Sequence, residues 1–257
     1  MVSTVTCDWT EDCVHIRFAR NHANTLTTEV LLAFSAALDD ARRGARGIML
    51  CGGDKFFSNG VDLEWALTRN RAEIRHLFLT LGECIVKLLE TPVPVVGVIR
   101  GHAVGAAMAM FMACDYRYAA KGRVLIGKPE ILLGVPNPYY GDQLLRFVAG
   151  DFIASDLIYT GKLVTAEEGI ALKLLHAVGE KSAIEGVAGE RLRSLCELAP
   201  EAFAESKHMR LGSFIADLRD QMSSRVARQV EIWFSDDAQS RLRVAAQRLA
   251  RKDTTAG

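Results

Sequence analysis

The stretch VPVVGVIRGHAVGAAMAMFM, residues 93–112, decides the fold. Its first part, Val93 to Ile99, is rich in β-branched residues, which indicates a buried strand. From Gly101 to Met112, small residues and methionines take over, and this change predicts a helix packed closely against that strand. A strand followed directly by a helix is the repeating unit of α/β proteins, so the stretch favours that class.

Strand and helix patterns alternate along the rest of the first half of the chain. The clearest segments are Cys13–Phe18 (strand), Thr27–Leu38 (helix with Thr27 as cap), Gly47–Cys51 (strand) and Arg71–Glu90 (helix). Beyond about residue 149 the strand patterns fade, and Ala227 to Leu249 reads as one long amphipathic helix. We therefore expect an α/β core over residues 1–200 and a helical region over residues 201–257.

Composition excludes several classes of function. Lys and Arg number 31 and Asp and Glu number 31, and this balance argues against binding to nucleic acid or acidic membranes. The six cysteines are scattered without a CxxC pair, which favours reduced, buried thiols in a cytosolic chain. No signal peptide and no apolar stretch of membrane-spanning length is visible, so we expect a soluble, cytoplasmic protein.

Two segments have the character of sites built from backbone groups. In FFSNGVDL, residues 56–63, Gly60 follows a strand and can leave the N–H of Val61 free to face a ligand. In GHAVGAAM, residues 101–108, small residues at a helix start let a ligand approach unpaired N–H groups. Two such donors on one oxygen would form an oxyanion hole, although each motif alone is more often an ordinary glycine turn.

One acid stands in an unusual setting. In IGKPEILLGVP, residues 126–136, Glu130 directly precedes an apolar run. Burying a carboxylate is costly unless it is paired or its chemistry is used. Taken alone, the pattern fits either a solvent-facing residue at a helix start or a catalytic carboxylate.

FFSNGVDL, GHAVGAAMAMFMACDYR and IGKPEILLG, in this order and spacing, resemble the crotonase (enoyl-CoA hydratase/isomerase) superfamily. The similarity runs from Asn24 to Asp237. It implies a spiral of ββα turns with a C-terminal helical region that builds a homotrimer or a dimer of trimers. It also implies an acyl-CoA thioester as substrate, with coenzyme A as part of the substrate and no separate cofactor or metal.

The resemblance also implies roles for named residues. The thioester carbonyl would lie between the N–H groups of Val61 and Ala106, with Glu130 beside it. Hydratases of the family carry a second glutamate at the position occupied here by Ala109, so one carboxylate is absent. A lone carboxylate suits removal of a proton from C2 of a 3-enoyl thioester and its return at C4. The sequence is most similar to Δ3,Δ2-enoyl-CoA isomerases, with Glu130 as sole acid and base.

Further residues are candidates for substrate binding: Asp62, Leu63, Gly105, Pro138, Tyr139 and Lys207. Asp62 is expected to brace the loop near the adenine end, and Tyr139 either to wall the acyl pocket or to pack in the core. Lys207 stands where the family often has a basic residue near the coenzyme A phosphates, with a solvated helix face as the alternative. Some isomerases carry their acid at the position of Pro138. His102 and Asp115 are interpreted as structural.

Two alternatives stay open on the sequence alone. One is another crotonase reaction on an acyl-CoA, such as hydration, thioester hydrolysis or decarboxylation, because one scaffold hosts many chemistries. The other is an acyl-CoA-binding protein without catalysis.

Overall fold

Two sheets, each made mostly of parallel strands, organise the chain. The computed structural model describes residues 4–10 and 12–254. The strands are β1 (Val5–Trp9), β2 (Cys13–Phe18), β3 (Gly47–Cys51), β4 (Phe56–Ser58), β5 (Val95–Ile99), β6 (His102–Val104), β7 (Tyr116–Ala120), β8 (Leu125–Gly127), β9 (Leu163–Thr165) and β10 (Ala177–Gly179). The helices are α1 (Thr28–Gly44), α2 (Leu63–Ala66), α3 (Arg71–Leu89), α4 (Ala106–Met112), α5 (Tyr139–Ala149), α6 (Asp151–Thr160), α7 (Ala166–Ala171), α8 (Ile184–Cys196), α9 (Pro200–Trp233) and α10 (Asp236–Thr254).

The larger sheet has the order β1-β2-β3-β5-β7-β10. Apart from the antiparallel pair β1 and β2, its neighbouring strands run parallel. Strands β3 and β5 are buried at every position, as parallel strands covered on both faces should be. Helix α8 packs against β3, β5 and β7. This arrangement confirms the predicted α/β class.

The smaller sheet, with the order β4-β6-β8-β9, positions the candidate site. Strands β4, β6 and β8 are parallel neighbours, so their carboxyl ends meet at one edge of the sheet. Val61 follows β4, Ala106 follows β6 and Glu130 follows β8. Three segments that are far apart in the sequence are therefore brought to the same edge.

The C-terminal helices lie against this edge. Helix α9 packs on α3 and α5, while α10 contacts α2 and a short 3₁₀ helix over Pro129–Leu133. Helix α9 begins at Pro200, where a proline suits the first turn because its missing N–H would have no helical partner there. The C-terminal region thus contributes to the wall of the site.

The structure differs from the sequence-based expectation in two stretches. His102–Val104 forms β6 and not the start of a helix, because its backbone pairs with β4 and β8, and the helix begins at Ala106. The single long helix expected over residues 227–249 is wrong. Helix α9 ends at Trp233, and the hydroxyl oxygen of Ser235 accepts the N–H of Ala238 at 3.3 Å, which starts α10 as a separate helix.

The six cysteines are all free thiols. The sulfur atoms of Cys13 and Cys196 lie 3.6 Å apart. In the part of the chain that the structure describes, no helix is long and apolar enough to cross a membrane.

Candidate active site

A cavity of about 570 Å³ opens at the edge where β4, β6 and β8 end. Its wall contains Val61, Ala106 and Glu130, together with apolar side chains such as Phe78 and Leu81. The three groups that the sequence analysis selected for the reaction therefore share one cavity.

The N–H of Val61 is left free by the way its neighbours are paired. The N–H of Leu26 donates to the Gly60 carbonyl at 2.8 Å, and the N–H of Asp62 donates to the Leu26 carbonyl at 3.0 Å. In such a parallel bridge the flanking groups face the partner strand, so the N–H of Val61 points to the opposite side. Among residues 4–10 and 12–254, the N–H of Val61 has no acceptor.

The N–H of Ala106 is free for a different reason. Ala106 is the first residue of α4, so the helix offers no carbonyl to its N–H. Gly105 precedes it with φ of +61° and ψ of −122°, a conformation that only glycine adopts readily, and donates its own N–H to the Gly127 carbonyl at 2.8 Å. Within the described residues the Ala106 N–H has no acceptor.

Glu130 lies in the 3₁₀ helix, with its side chain 14% exposed. Its Oε1 accepts a hydrogen bond from Lys128 Nζ at 3.0 Å, whereas its Oε2 is buried and has no partner among the described residues. A buried carboxylate oxygen without a partner is costly and marks a functional candidate. The carboxylate of Glu130 is therefore paired through Oε1, while Oε2 is available to take a proton.

Glu130 is the sole acid among the described residues that line this cavity. Ala109, at the position where family hydratases carry their first glutamate, is 2% exposed and packs in the core. A constellation of one carboxylate and two free N–H groups can transfer a proton at a carbon next to a carbonyl while stabilising the enolate oxygen.

The predicted substrate-binding residues divide into two groups. Leu63, Gly105 and Pro138 line the cavity with Glu130. Asp62 lies just outside the wall. Its Oδ1 caps α2 by accepting the Trp65 N–H at 3.0 Å, and its Oδ2 accepts from Arg20 at 2.6 Å. Asp62 therefore braces its own loop, and its proximity to the adenine end of coenzyme A stays a prediction.

Tyr139 and Lys207 lie away from the cavity. The hydroxyl of Tyr139 donates to Asp217 Oδ2 at 2.7 Å, and its ring lies under the guanidinium of Arg225. Lys207 is 7% exposed, and its Nζ donates to Asp115 Oδ2 at 2.8 Å. It lines two other cavities, of about 680 and 380 Å³, beside α9.

His102 and Asp115 have structural partners. The Nδ1 of His102 accepts the N–H of Leu125 at 3.0 Å, which joins β6 to β8. Burial, helped by the charge of Lys55, lowers the pKa of His102. Asp115 Oδ2 accepts the N–H of Val95 at 2.8 Å at the start of β5.

Several residues of the site were not predicted from the sequence. Lys128, two positions before Glu130, is 2% exposed, and its pairing with the acid was not anticipated. Gln229 and Trp233 of α9 also line the cavity, as do Arg241, Val244 and Arg248 of α10. One feature of the sequence could have indicated that Lys128 is buried. It lies between Gly127 and Pro129, at the end of an apolar strand, where a charged residue is unusual.

Comparison with known proteins identifies the family. The family model described as enoyl-CoA hydratase/isomerase matches residues 9–243, so the chain belongs to the enoyl-CoA hydratase/isomerase family. This confirms the resemblance to the crotonase superfamily inferred from the three motifs.

The relatives carry both kinds of name. A probable enoyl-CoA hydratase of Bacillus subtilis is 28% identical over 223 residues, which cover 84% of this chain and 85% of the relative. Enoyl-CoA delta isomerase 3 of Arabidopsis thaliana is 30% identical over 172 residues, which cover 65% of this chain and 71% of the relative. The names of these relatives do not decide between the two reactions, so the particular reaction has to be argued from the site.

Solved structures share the fold over nearly the whole chain. The human mitochondrial delta3-delta2-enoyl-CoA isomerase superposes with a TM-score of 0.93 at 21% identity, covering 97% of this chain and 99% of that one. The enoyl-CoA hydratase from Bacillus halodurans superposes with a TM-score of 0.87 at 22% identity, covering 94% and 100%. The crotonase-type α/β fold predicted from the sequence is therefore confirmed.

Proposed function

We propose that this enzyme of acyl-CoA metabolism moves the double bond of a 3-enoyl-CoA thioester to the 2-position. The observation that carries the proposal is a cavity in which a single carboxylate, with one free oxygen, accompanies two free backbone N–H groups. Hydration across a double bond in this family uses two glutamates, and Ala109 leaves this cavity with one.

The reaction follows from the positions of these groups. The thioester oxygen of the substrate accepts hydrogen bonds from Val61 N–H and Ala106 N–H. Glu130 Oε2 removes a proton from C2, and the electron pair of the C–H bond moves into a dienolate whose charge lies on the thioester oxygen. The protonated Glu130 then returns the proton to C4. The double bond ends between C2 and C3, and Glu130 is again a carboxylate.

Two effects supply the rate. General-base transfer by a positioned carboxylate contributes about 10²–10⁴-fold. Each oxyanion-hole donor contributes about 2.7–4 kcal/mol of transition-state stabilisation. The sequence of proton transfers needs no group outside the chain and the substrate, and the absence of a separate cofactor stays a prediction. A cytoplasmic location and assembly as a trimer or a dimer of trimers stay predictions of the sequence.

The test is a direct comparison of substrates. The purified protein is incubated with 3-hexenoyl-CoA and with 2-hexenoyl-CoA while the absorbance of the conjugated thioester is followed. We expect absorbance to rise with the 3-enoyl substrate and to stay constant with the 2-enoyl substrate. A fall with the 2-enoyl substrate would indicate hydration, the activity in the name of the Bacillus subtilis relative, and would overturn the proposal.

A further inference from the structure

We propose that Lys128 is a positioning residue that couples the general base to the oxyanion hole. The inference rests on the proposed function, since it assigns a task to a neighbour of Glu130 and of the Ala106 amide. It starts from two contacts of one ammonium group. Lys128 Nζ donates to Glu130 Oε1 at 3.0 Å and to the Gly105 carbonyl oxygen at 3.2 Å.

Lys128 is buried, so its ammonium group depends on these two contacts. Its side chain is 1% exposed, and α5 packs so closely that a Cβ on Gly141 would lie 3.0 Å from Nζ. A lysine is rarely buried to this extent unless it is paired, because an isolated ammonium loses its hydration without compensation. Here the Glu130 carboxylate and the Gly105 carbonyl, which both belong to the cavity wall, compensate for the lost hydration.

The contact with Glu130 gives the two carboxylate oxygens different roles. Oε1 is held by Nζ, whereas Oε2 has no partner among the described residues. The held oxygen fixes the orientation of the carboxylate, and the free oxygen is the one that can accept the substrate proton. Lys128 thereby selects which oxygen acts as base.

The contact with Gly105 reaches the oxyanion hole. The carbonyl of Gly105 and the N–H of Ala106 belong to the same peptide group. A hydrogen bond from a cation to the carbonyl oxygen polarises that amide and strengthens its N–H as a donor, since linked hydrogen bonds reinforce one another. During the reaction negative charge moves from Glu130 to the thioester oxygen. Lys128 Nζ first stabilises this charge directly at Glu130 Oε1, and then indirectly through the peptide group that joins Gly105 to Ala106.

A purely structural ion pair would make different predictions, and substitution of Lys128 separates the two. Lys128→Met keeps the length of the side chain and removes the charge, and Lys128→Gln keeps a donor without the charge. For Lys128→Met we expect kcat on 3-hexenoyl-CoA to fall roughly 10²-fold, as on removal of one oxyanion donor. The binding constant of hexanoyl-CoA, which has no double bond to move, should stay within about threefold. Lys128→Gln should be intermediate.

One readout responds to coupling but not to a merely structural role. Isotope-edited infrared spectra of carbonyl-labelled hexanoyl-CoA should show a smaller shift of the bound thioester band in the variant than in the wild type. Lys162→Met, which removes a lysine from an exposed ion pair, is the control.

The outcomes keep this proposal separate from the proposed function. If the wild type fails to isomerise 3-hexenoyl-CoA, the proposed function falls, and the infrared shift still decides whether Lys128 polarises the Ala106 amide. If Lys128→Met loses thermal stability while Lys128→Gln keeps the wild-type kcat and carbonyl shift, the ion pair is structural and the inference is overturned.

Discussion

The position that a Cβ would occupy on Gly60 lies 2.8 Å from the carbonyl oxygen of Val104. The same position lies 3.5 Å from the N–H nitrogen of Ala106. The loop that carries the first proposed oxyanion donor is therefore seated directly against the segment that carries the second. The missing side chain lets the two free N–H groups share one cavity.

Gly60→Ala tests this close approach. Gly60 has φ of +80°, so alanine adds backbone strain as well as the contact with Val104. We expect a loss of stability of about 1–3 kcal/mol, and a fall in kcat larger than the change in KM, because Val61 N–H moves with the loop. The measurements are urea unfolding and steady-state kinetics on 3-hexenoyl-CoA.

Gly122→Ala is the matched control for Gly60. Gly122 also has positive φ, of +96°, but nothing lies within 4 Å of its Cβ position. This variant should show the conformational cost alone, with wild-type kcat. Equal kcat values for the two variants would contradict a role for close packing in the oxyanion hole.

Glu130→Gln tests the general base. Glutamine keeps an oxygen that can accept from Lys128 Nζ, so the buried ammonium retains a partner while the base is lost. We expect isomerisation to fall by about 10²–10⁴-fold, with the affinity for hexanoyl-CoA largely unchanged. Stopped assays of product and calorimetric titration measure the two quantities.

Glu64→Gln serves as the control for Glu130→Gln. Glu64 is exposed on α2 and does not line the cavity, so its replacement should leave turnover at the wild-type level. Full turnover in Glu130→Gln would remove this glutamate from the mechanism, and equal losses in the two variants would point to a general effect of charge.

The free N–H of Val61 could be predicted because it follows from a local rule. Gly60 comes after a short strand, and a glycine there lets the next N–H turn away from its own chain segment. Such a pattern involves only a few neighbouring residues, so it can be recognised in the sequence. Small residues at a helix start indicated free N–H groups in the second segment, and the choice of Ala106 came from the family resemblance. The pairing of Lys128 with the Gly105 carbonyl could not be read in this way, because it joins residues 23 apart through the register of β6 with β8.

Other differences have equally physical reasons. Strands β9 and β10 have three residues each, too short for an alternating pattern to stand out. The break between α9 and α10 depends on Ser235 as a cap within an otherwise helical pattern. The expectation that Lys207 lies near the coenzyme A phosphates came from the family and not from its neighbours, and its ion pair with Asp115 depends on a contact 92 residues away.

Lys207→Met distinguishes these two roles of Lys207. Its removal leaves the partly buried Asp115 carboxylate with the Val95 N–H as its remaining donor, so we expect a loss of stability of about 1–3 kcal/mol. The KM for an acyl-CoA should change less than about twofold, since the site cavity does not include this residue. Thermal unfolding and kinetics on 3-hexenoyl-CoA measure both.

Lys121→Met is the control for Lys207→Met. Lys121 and Glu180 form an ion pair in which both side chains are more than half exposed, so its loss should change stability little. A tenfold rise in KM for Lys207→Met, with unchanged stability, would instead support phosphate binding by this lysine.

The stability of the protein should decline below neutral pH partly through His176. Its Nδ1 accepts the N–H of Arg117 at 3.0 Å, and partial desolvation of the ring, together with the charges of Arg117 and Arg191, lowers the pKa of His176 to about 4. An unfolded chain takes up a proton at its ordinary histidine pKa of about 6.5, so stability is lost as pH falls from about 6.5 towards 4.

His176→Gln keeps an acceptor for Arg117 and removes the titrating group. Urea unfolding at pH 7 and at pH 5 should show a smaller loss of stability in His176→Gln than in the wild type, and the exposed His22→Gln should keep the wild-type difference. An unchanged difference in His176→Gln would assign the acid sensitivity to other groups.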